Sequence, residues 1–129
     1  MTHRSKSSGA VAIAAGAALS SAGNTSDKVL CALIIPAGWT TAALTFQASD
    51  DAGVTWNELT DDQGNAITIS AAAVTAGLAL STNARMSMDP SNFASVDFIK
   101  VRSGTVGTPV NQVAAATISL IYRKYYALD

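Results

Sequence analysis

Charge is the first thing this chain is short of. Charged residues fill 13% of its 129 positions, eight basic against nine acidic, for a formal net charge of −1. Soluble proteins average about 25%. No concentrated basic field can form from such a balance, so nucleic acid is not an expected partner. The single cysteine, Cys31, rules out an intrachain disulfide. It lies in the apolar run Val29 to Ile35 and reads as a small buried hydrophobe. The one histidine is His3, in a polar stretch. A Ser-His-Asp triad, a multi-histidine metal centre and a thiolate zinc site are therefore not expected, and neither is a cofactor. Long apolar runs are missing too, so no membrane span is expected. Residues 10–19 follow a basic start, as in a signal peptide. Their apolar content is mostly Ala and Gly, with Val11, Ile13 and Leu19 the strong hydrophobes, and they are not read as a leader.

Ala, Ser, Thr and Gly take the place of charge. A surface so poor in charge is marginal for solubility. Much of it is expected to be covered by copies of the chain or by another protein. The length fits one domain, which can bury roughly two-thirds of the surface its unfolded chain exposes. Residues 1–9 are small and polar and read as an N-terminal arm, residues 10–124 as the folded domain, and residues 125–129 as a C-terminal tail.

From Ala10 onward the pattern is β. Strands are expected near 10–15, 28–35, 42–49, 54–59, 66–70, 77–81, 85–88, 96–103 and 115–124. Turn chemistry separates them: Gly23-Asn24, Pro36-Ala37-Gly38, residues 50–53, residues 61–65, residues 89–92 and residues 103–109. Ala71 to Leu80 is rich in the best helix former, but Val74, Thr75 and Gly77 favour strand and loop there. Regular short strands between turns predict an all-β, antiparallel sandwich of jelly-roll type.

The most specific local signal is Ser49-Asp50-Asp51-Ala52-Gly53-Val54-Thr55-Trp56, the S-x-D-x-G-x-T-W pattern called an Asp-box. Its Asp caps backbone N–H groups and its Gly takes positive φ, so Ser49, Asp51, Gly53, Thr55 and Trp56 predict a hairpin rather than a chemistry. The pairs Asp50-Asp51 and Asp61-Asp62 have the composition of an acid–base pair or a calcium loop. Neighbours on an extended chain point apart, and both pairs read as turn caps. Residues 102–109 lack the Gly-Lys-Ser/Thr of a phosphate loop. Candidate contact residues are the arm (Thr2, His3, Arg4, Ser5, Lys6), Trp39 after its Pro-Ala-Gly turn, which fits a plug at the end of the core equally well, and Tyr125-Tyr126 beside two cations, which fit a solvated C-terminus equally well.

The ordered string of segments carries more than any one of them. It runs Val11-Ala12-Ile13-Ala14-Ala15-Gly16-Ala17, Leu33-Ile34-Ile35-Pro36-Ala37-Gly38-Trp39-Thr40 and Ala43-Leu44-Thr45-Phe46-Gln47-Ala48-Ser49. After the Asp-box come Phe98-Ile99-Lys100-Val101-Arg102-Ser103-Gly104-Thr105, Pro109-Val110-Asn111-Gln112 and Thr117-Ile118-Ser119-Leu120. This string resembles a family of small phage and prophage virion proteins, most of all capsid cement or decoration proteins with a jelly-roll fold. The resemblance spans roughly residues 10–123; the basic arm and the last residues lie outside it. It implies a non-enzymatic structural protein, made in the host cytoplasm, that binds the outside of the major capsid protein lattice as a dimer or trimer. A head-spike base, a tail-associated virion protein, or a carbohydrate-binding module using Trp39 or Trp56 are the alternative roles. The Asp-box also occurs in sialidase propellers, once per blade. One copy in a chain this short does not carry that activity over.

Overall fold

The computed structural model describes the backbone of residues 2–127 and the side chains of residues 8–124. Eight strands follow in order: β1 (Thr2–Ile13), β2 (Gly23–Asn24), β3 (Lys28–Ile35), β4 (Leu44–Ser49), β5 (Asn57–Glu58), β6 (Ala84–Ser87), β7 (Phe98–Ser103) and β8 (Ala116–Ala127). One helix, α1 (Ala71–Leu80), lies between β5 and β6, and a 3₁₀ turn at Pro90–Phe93 lies between β6 and β7.

The strands form two four-stranded sheets, β1-β8-β3-β6 and β2-β7-β4-β5. Every pairing is antiparallel: β1 with β8, β2 with β7, β3 with β6 and β4 with β5, joined across by β3–β8 and β4–β7. The first four pairs are those of one long hairpin folded at the Asp-box. Rolling that hairpin on itself gives the two sheets, which is jelly-roll connectivity. The fold is thus an all-β antiparallel sandwich.

Alternation explains which side chains fill it. On β8, Ile118, Leu120 and Tyr122 are buried between the sheets, while Thr117 and Ser119 face outward. On β7, Ile99 and Val101 point in, and Phe98 and Lys100 point out. Leu30, Leu33 and Ile35 of β3 and Leu44 and Phe46 of β4 complete the centre. The Phe46 ring meets the edge of Phe93 from the 3₁₀ turn, with centroids 5.3 Å apart at 85°, a favoured aromatic geometry. Cys31 sits at a bulge between Leu30 and Ala32 and is half-buried rather than fully enclosed.

Four expectations change. Gly23-Asn24, expected as a turn, is strand β2, because it pairs with Ile99 and Phe98 of β7. Residues 71–80 are helical, not strand and loop. Ser70 caps the helix by accepting from the Ala73 N–H at 3.1 Å, and Val74 anchors it in the core. Gly77 does not break the helix; it lets the helix press on β6, where a Cβ would stand 2.9 Å from Ala84 Cβ and 3.2 Å from Met86 Sδ. Residues 66–70 join the sheet only through isolated bridges, Thr60 with Ala66 and Leu44 with Ile69. Finally, residues 2–9 continue β1 and residues 125–127 continue β8, in register from Thr2 opposite Ala127 to Ile13 opposite Ala116. A polar segment pairs as well as an apolar one because the ladder is made by backbone groups. Met1, Leu128 and Asp129 lie outside the described residues.

Candidate functional site

Antiparallel order sends successive connections to alternate ends of the sandwich. Connections 14–22, 36–43, 59–83 and 104–115 gather at one end. Connections 25–27, 50–56 and 88–97 gather at the other, with the paired ends of the chain.

The first end carries almost no charge. Residues 14–22, 36–43 and 104–115 contain no Asp, Glu, Lys or Arg; Asp61 and Asp62 in the fourth connection are the exceptions. Hydrogen bonds knit these loops into one surface. Gln112, fully buried, is the centre of that network. Its Oε1 accepts from the Thr40 N–H at 2.8 Å, and its Nε2 donates to the Thr40 carbonyl at 3.0 Å and to Ser103 Oγ at 2.8 Å. Its backbone joins residues 16 and 17: Gly16 N–H donates to the Gln112 carbonyl at 2.8 Å, and Gln112 N–H donates to the Ala17 carbonyl at 2.9 Å. Gly104 has φ +91°, and a Cβ there would collide with the Thr108 carbonyl oxygen. Val106, Val113, Leu19 and Leu80 stand exposed around this end, Val113 at 83% and Leu80 at 89%.

Trp39 belongs to this end but not to its outer surface. Its indole is buried, and its Nε1 donates to the Ala42 carbonyl at 3.3 Å. The expectation that Trp39 contacts a partner is corrected: the ring plugs the sandwich, because Gly38 turns the chain back over the core at φ +81°.

The Asp-box occupies the other end, as the β4–β5 hairpin. Ser49 Oγ accepts from the Gly53 N–H at 2.9 Å and donates to Asp51 Oδ1 at 2.8 Å. The same carboxylate oxygen accepts from the Thr55 N–H at 2.8 Å, and Trp56 Nε1 donates to the Gly53 carbonyl at 2.9 Å. The bonds that reach the Asp51 carboxylate, with the Thr55 backbone foremost and Ser49 after it, hold that carboxyl below its ordinary range. The motif is satisfied internally. Trp56 has one face taken, by the Lys100 ammonium 4.4 Å from the ring centroid, a cation–π contact. Asp61 likewise caps its own turn, accepting from the Gln63 and Asn65 N–H groups at 2.9 Å each.

A charged pair on the outer side of the second sheet was invisible in the sequence. Arg102, nearly buried, grips Glu58 with both Nη atoms, the Nη2–Oε2 contact being 2.7 Å. Gln47 Nε2 donates to the same carboxylate at 2.9 Å. The Arg102 hydrogen bonds hold the Glu58 carboxyl below its usual range, against the desolvation that raises it. A carboxyl with a lower pKa folded than unfolded stabilises fully above its unfolded value and loses that contribution as pH falls through the folded one. Glu58→Gln is therefore expected to cost about 1–3 kcal/mol at neutral pH and to flatten the loss of stability below about pH 4.3. Urea unfolding of both proteins at neutral and acid pH measures this. Parallel pH curves would show that the pair contributes nothing.

The described residues enclose no cavity or cleft, and no three His, Cys, Asp or Glu side chains among them gather around a common point. Of the expected contact residues, Thr2 to Lys6 and Tyr125-Tyr126 stand together on the β1–β8 pair: Arg4 opposite Tyr125, and His3 opposite Tyr126. Their side chains lie outside the described residues. Gln112 and the Arg102–Glu58 pair were missed, since a Gln or Arg in such a pattern looks the same whether buried or exposed.

No protein-family model matches the chain, and no curated protein matches it. Among solved structures it is similar to a chain from Bacillus endospore appendages, described as disulfide-linked pili. The TM-score is 0.45 at 16% identity, over 99% of this chain and 89% of that one. It is also similar to the Yersinia pseudotuberculosis-derived mitogen, with TM-score 0.30 and 12% identity, over 100% of this chain and 91% of the other.

Proposed function

We propose that this protein is a structural component of a phage virion, a cement or decoration protein that binds the outside of the major capsid protein lattice and holds neighbouring subunits together. The observation that carries the reading is the hydrogen-bonded loop end, three of whose four connections carry no charge. A partner that docks on residues 14–22, 36–43 and 104–115 covers connections without a charged side chain, and the loops are already hydrogen-bonded together, so little ordering entropy is lost on binding. Val106, Val113 and Leu80 supply apolar area for the centre of such a contact. The segment resemblance over residues 10–123 supplies the virion context. Repetition across a lattice lets many modest contacts act together. The rigid sandwich acts as a clamp, and no bond is made or broken.

The test uses particles of a phage that encodes the protein, with its gene deleted. Purified protein added back is expected to bind the shells and raise the temperature at which they release DNA. Val113→Asp, which keeps the fold because its side chain is exposed, is expected to bind at least tenfold more weakly, since it places a charge in an apolar contact. Shells that neither bind the wild-type protein nor gain stability from it would contradict the proposal.

A further inference from the structure

The opposite end of the molecule carries a different feature. β8 has β3 beside it only from Lys124 opposite Lys28 to Ser119 opposite Ile34. Beyond Lys124 the described structure leaves a two-stranded ribbon, residues 2–4 paired with residues 125–127. Such a ribbon is marginal by itself in water. Its outer edge is also open. Ala12 turns its backbone groups away from β8, and Ser21 takes both: Ala12 N–H donates to Ser21 Oγ at 3.1 Å, and Ser21 N–H donates to the Ala12 carbonyl at 2.9 Å. By antiparallel alternation Ala10, Ser8, Lys6, Arg4 and Thr2 turn their groups the same way, and among the described residues no strand runs alongside them.

The charge on the two strands toward this end is of one sign, with Arg4 on the ribbon itself and Lys6, Arg123 and Lys124 just before it. β1 and β8 carry Arg4, Lys6, Arg123 and Lys124 and no acid. Register sets Lys6 opposite Arg123, and Lys124 opposite Lys28. Like charges directly opposite are unfavourable. Arg123 Nη1 is buried with no hydrogen-bond partner among the described residues. At the same end, connections 25–27, 50–56 and 88–97 hold Asp27, Asp50, Asp51, Asp89 and Asp97 and no Lys or Arg. Among the described residues their one ion pair is Asp27 with Lys28, at 3.8 Å.

We propose that a second copy of this chain supplies what the ribbon lacks: the basic ribbon of each copy lies across the aspartate-bearing connections of the other, about a two-fold axis. Both surfaces sit at one end of the molecule, so a single isologous contact satisfies both at once. The alternative two-fold contact, β1 edge to β1 edge, would crowd the cations of both ribbons together. The inference stands on this end of the molecule and does not depend on the virion reading.

Sedimentation velocity and native mass spectrometry of the full chain test it. A dimer is expected at low salt, weakened about tenfold or more between about 50 and about 500 mM NaCl, because exposed charges are screened. Arg4→Glu with Lys6→Glu, and separately Asp50→Lys with Asp97→Lys, are each expected to be monomeric with thermal unfolding close to wild type. Mixing the two variants is expected to restore a dimer containing one of each. A wild-type monomer at all concentrations, a dimer that survives both charge reversals, or a mixture that stays monomeric would overturn the proposal.

Discussion

Phe46→Ala is expected to lower the free energy of unfolding by about 3–5 kcal/mol, the usual cost of truncating a fully buried aromatic residue. Phe46 sits on β4 at the centre of the second sheet with no exposed surface, and it is the partner of Phe93. The substitution removes hydrophobic burial, leaves a void between the sheets, and breaks the edge contact that ties the 3₁₀ turn to the core. Domains of this size are stable by only about 5–15 kcal/mol, so the loss is a large share of the total. Phe46→Leu keeps most of the volume and should lose clearly less. Urea unfolding followed by fluorescence measures both. A loss below about 1 kcal/mol for the alanine variant would mean that the sheets do not meet around this ring.

Gln112→Leu is expected to have the second-largest effect, and a more local one. Leucine has similar volume but cannot bond to Thr40 or Ser103. It leaves the half-buried Thr40 N–H and carbonyl and the buried Ser103 hydroxyl without these partners; a buried polar group costs about 1–3 kcal/mol when orphaned, a half-buried one less. The costs are not additive, and a total near 3 kcal/mol is expected. The loss falls on the loop end. Amide exchange in residues 36–43 and 104–115 should speed up roughly a hundredfold while the central strands keep most of their protection. Binding to capsid shells should weaken with it, because the contact surface is then no longer fixed in advance. Unchanged exchange in these loops would show that Gln112 does not organise them.

The strands with strict alternation were legible in the sequence. β4, β7 and the core of β8 lie where their period-two patterns place them, and β3 lies where its apolar run places it, with a bulge between Leu30 and Ala32. The Asp-box hairpin was legible as well, since its turn is built by bonds among its own residues. The helix was not. Gly77 has low helix propensity, and nothing local reveals that it is needed for close packing on Ala84. The extension of β1 through residues 2–9 was hidden for a related reason. Backbone pairing leaves no mark on a polar stretch, and its partner strand lies more than a hundred residues away. Trp39 was ambiguous because an aromatic after a Pro-Gly turn has the same pattern whether it plugs a core or faces a partner. Gln112 and the Arg102–Glu58 pair depend on contacts between segments far apart in sequence, which no local pattern encodes. The near absence of charge at the loop end lay in plain sight as composition. Its meaning appeared only when the strand order brought three charge-free connections together.

The measurement that tests the central proposal most directly is the copy number of this protein in purified virions, by quantitative mass spectrometry against the major capsid protein. A protein that clamps neighbouring subunits over the whole lattice is expected in hundreds of copies, close to stoichiometric with the shell. A few to a few dozen copies would contradict the decoration role and place the protein at a vertex, neck or tail. Its absence from the particle would contradict every virion role.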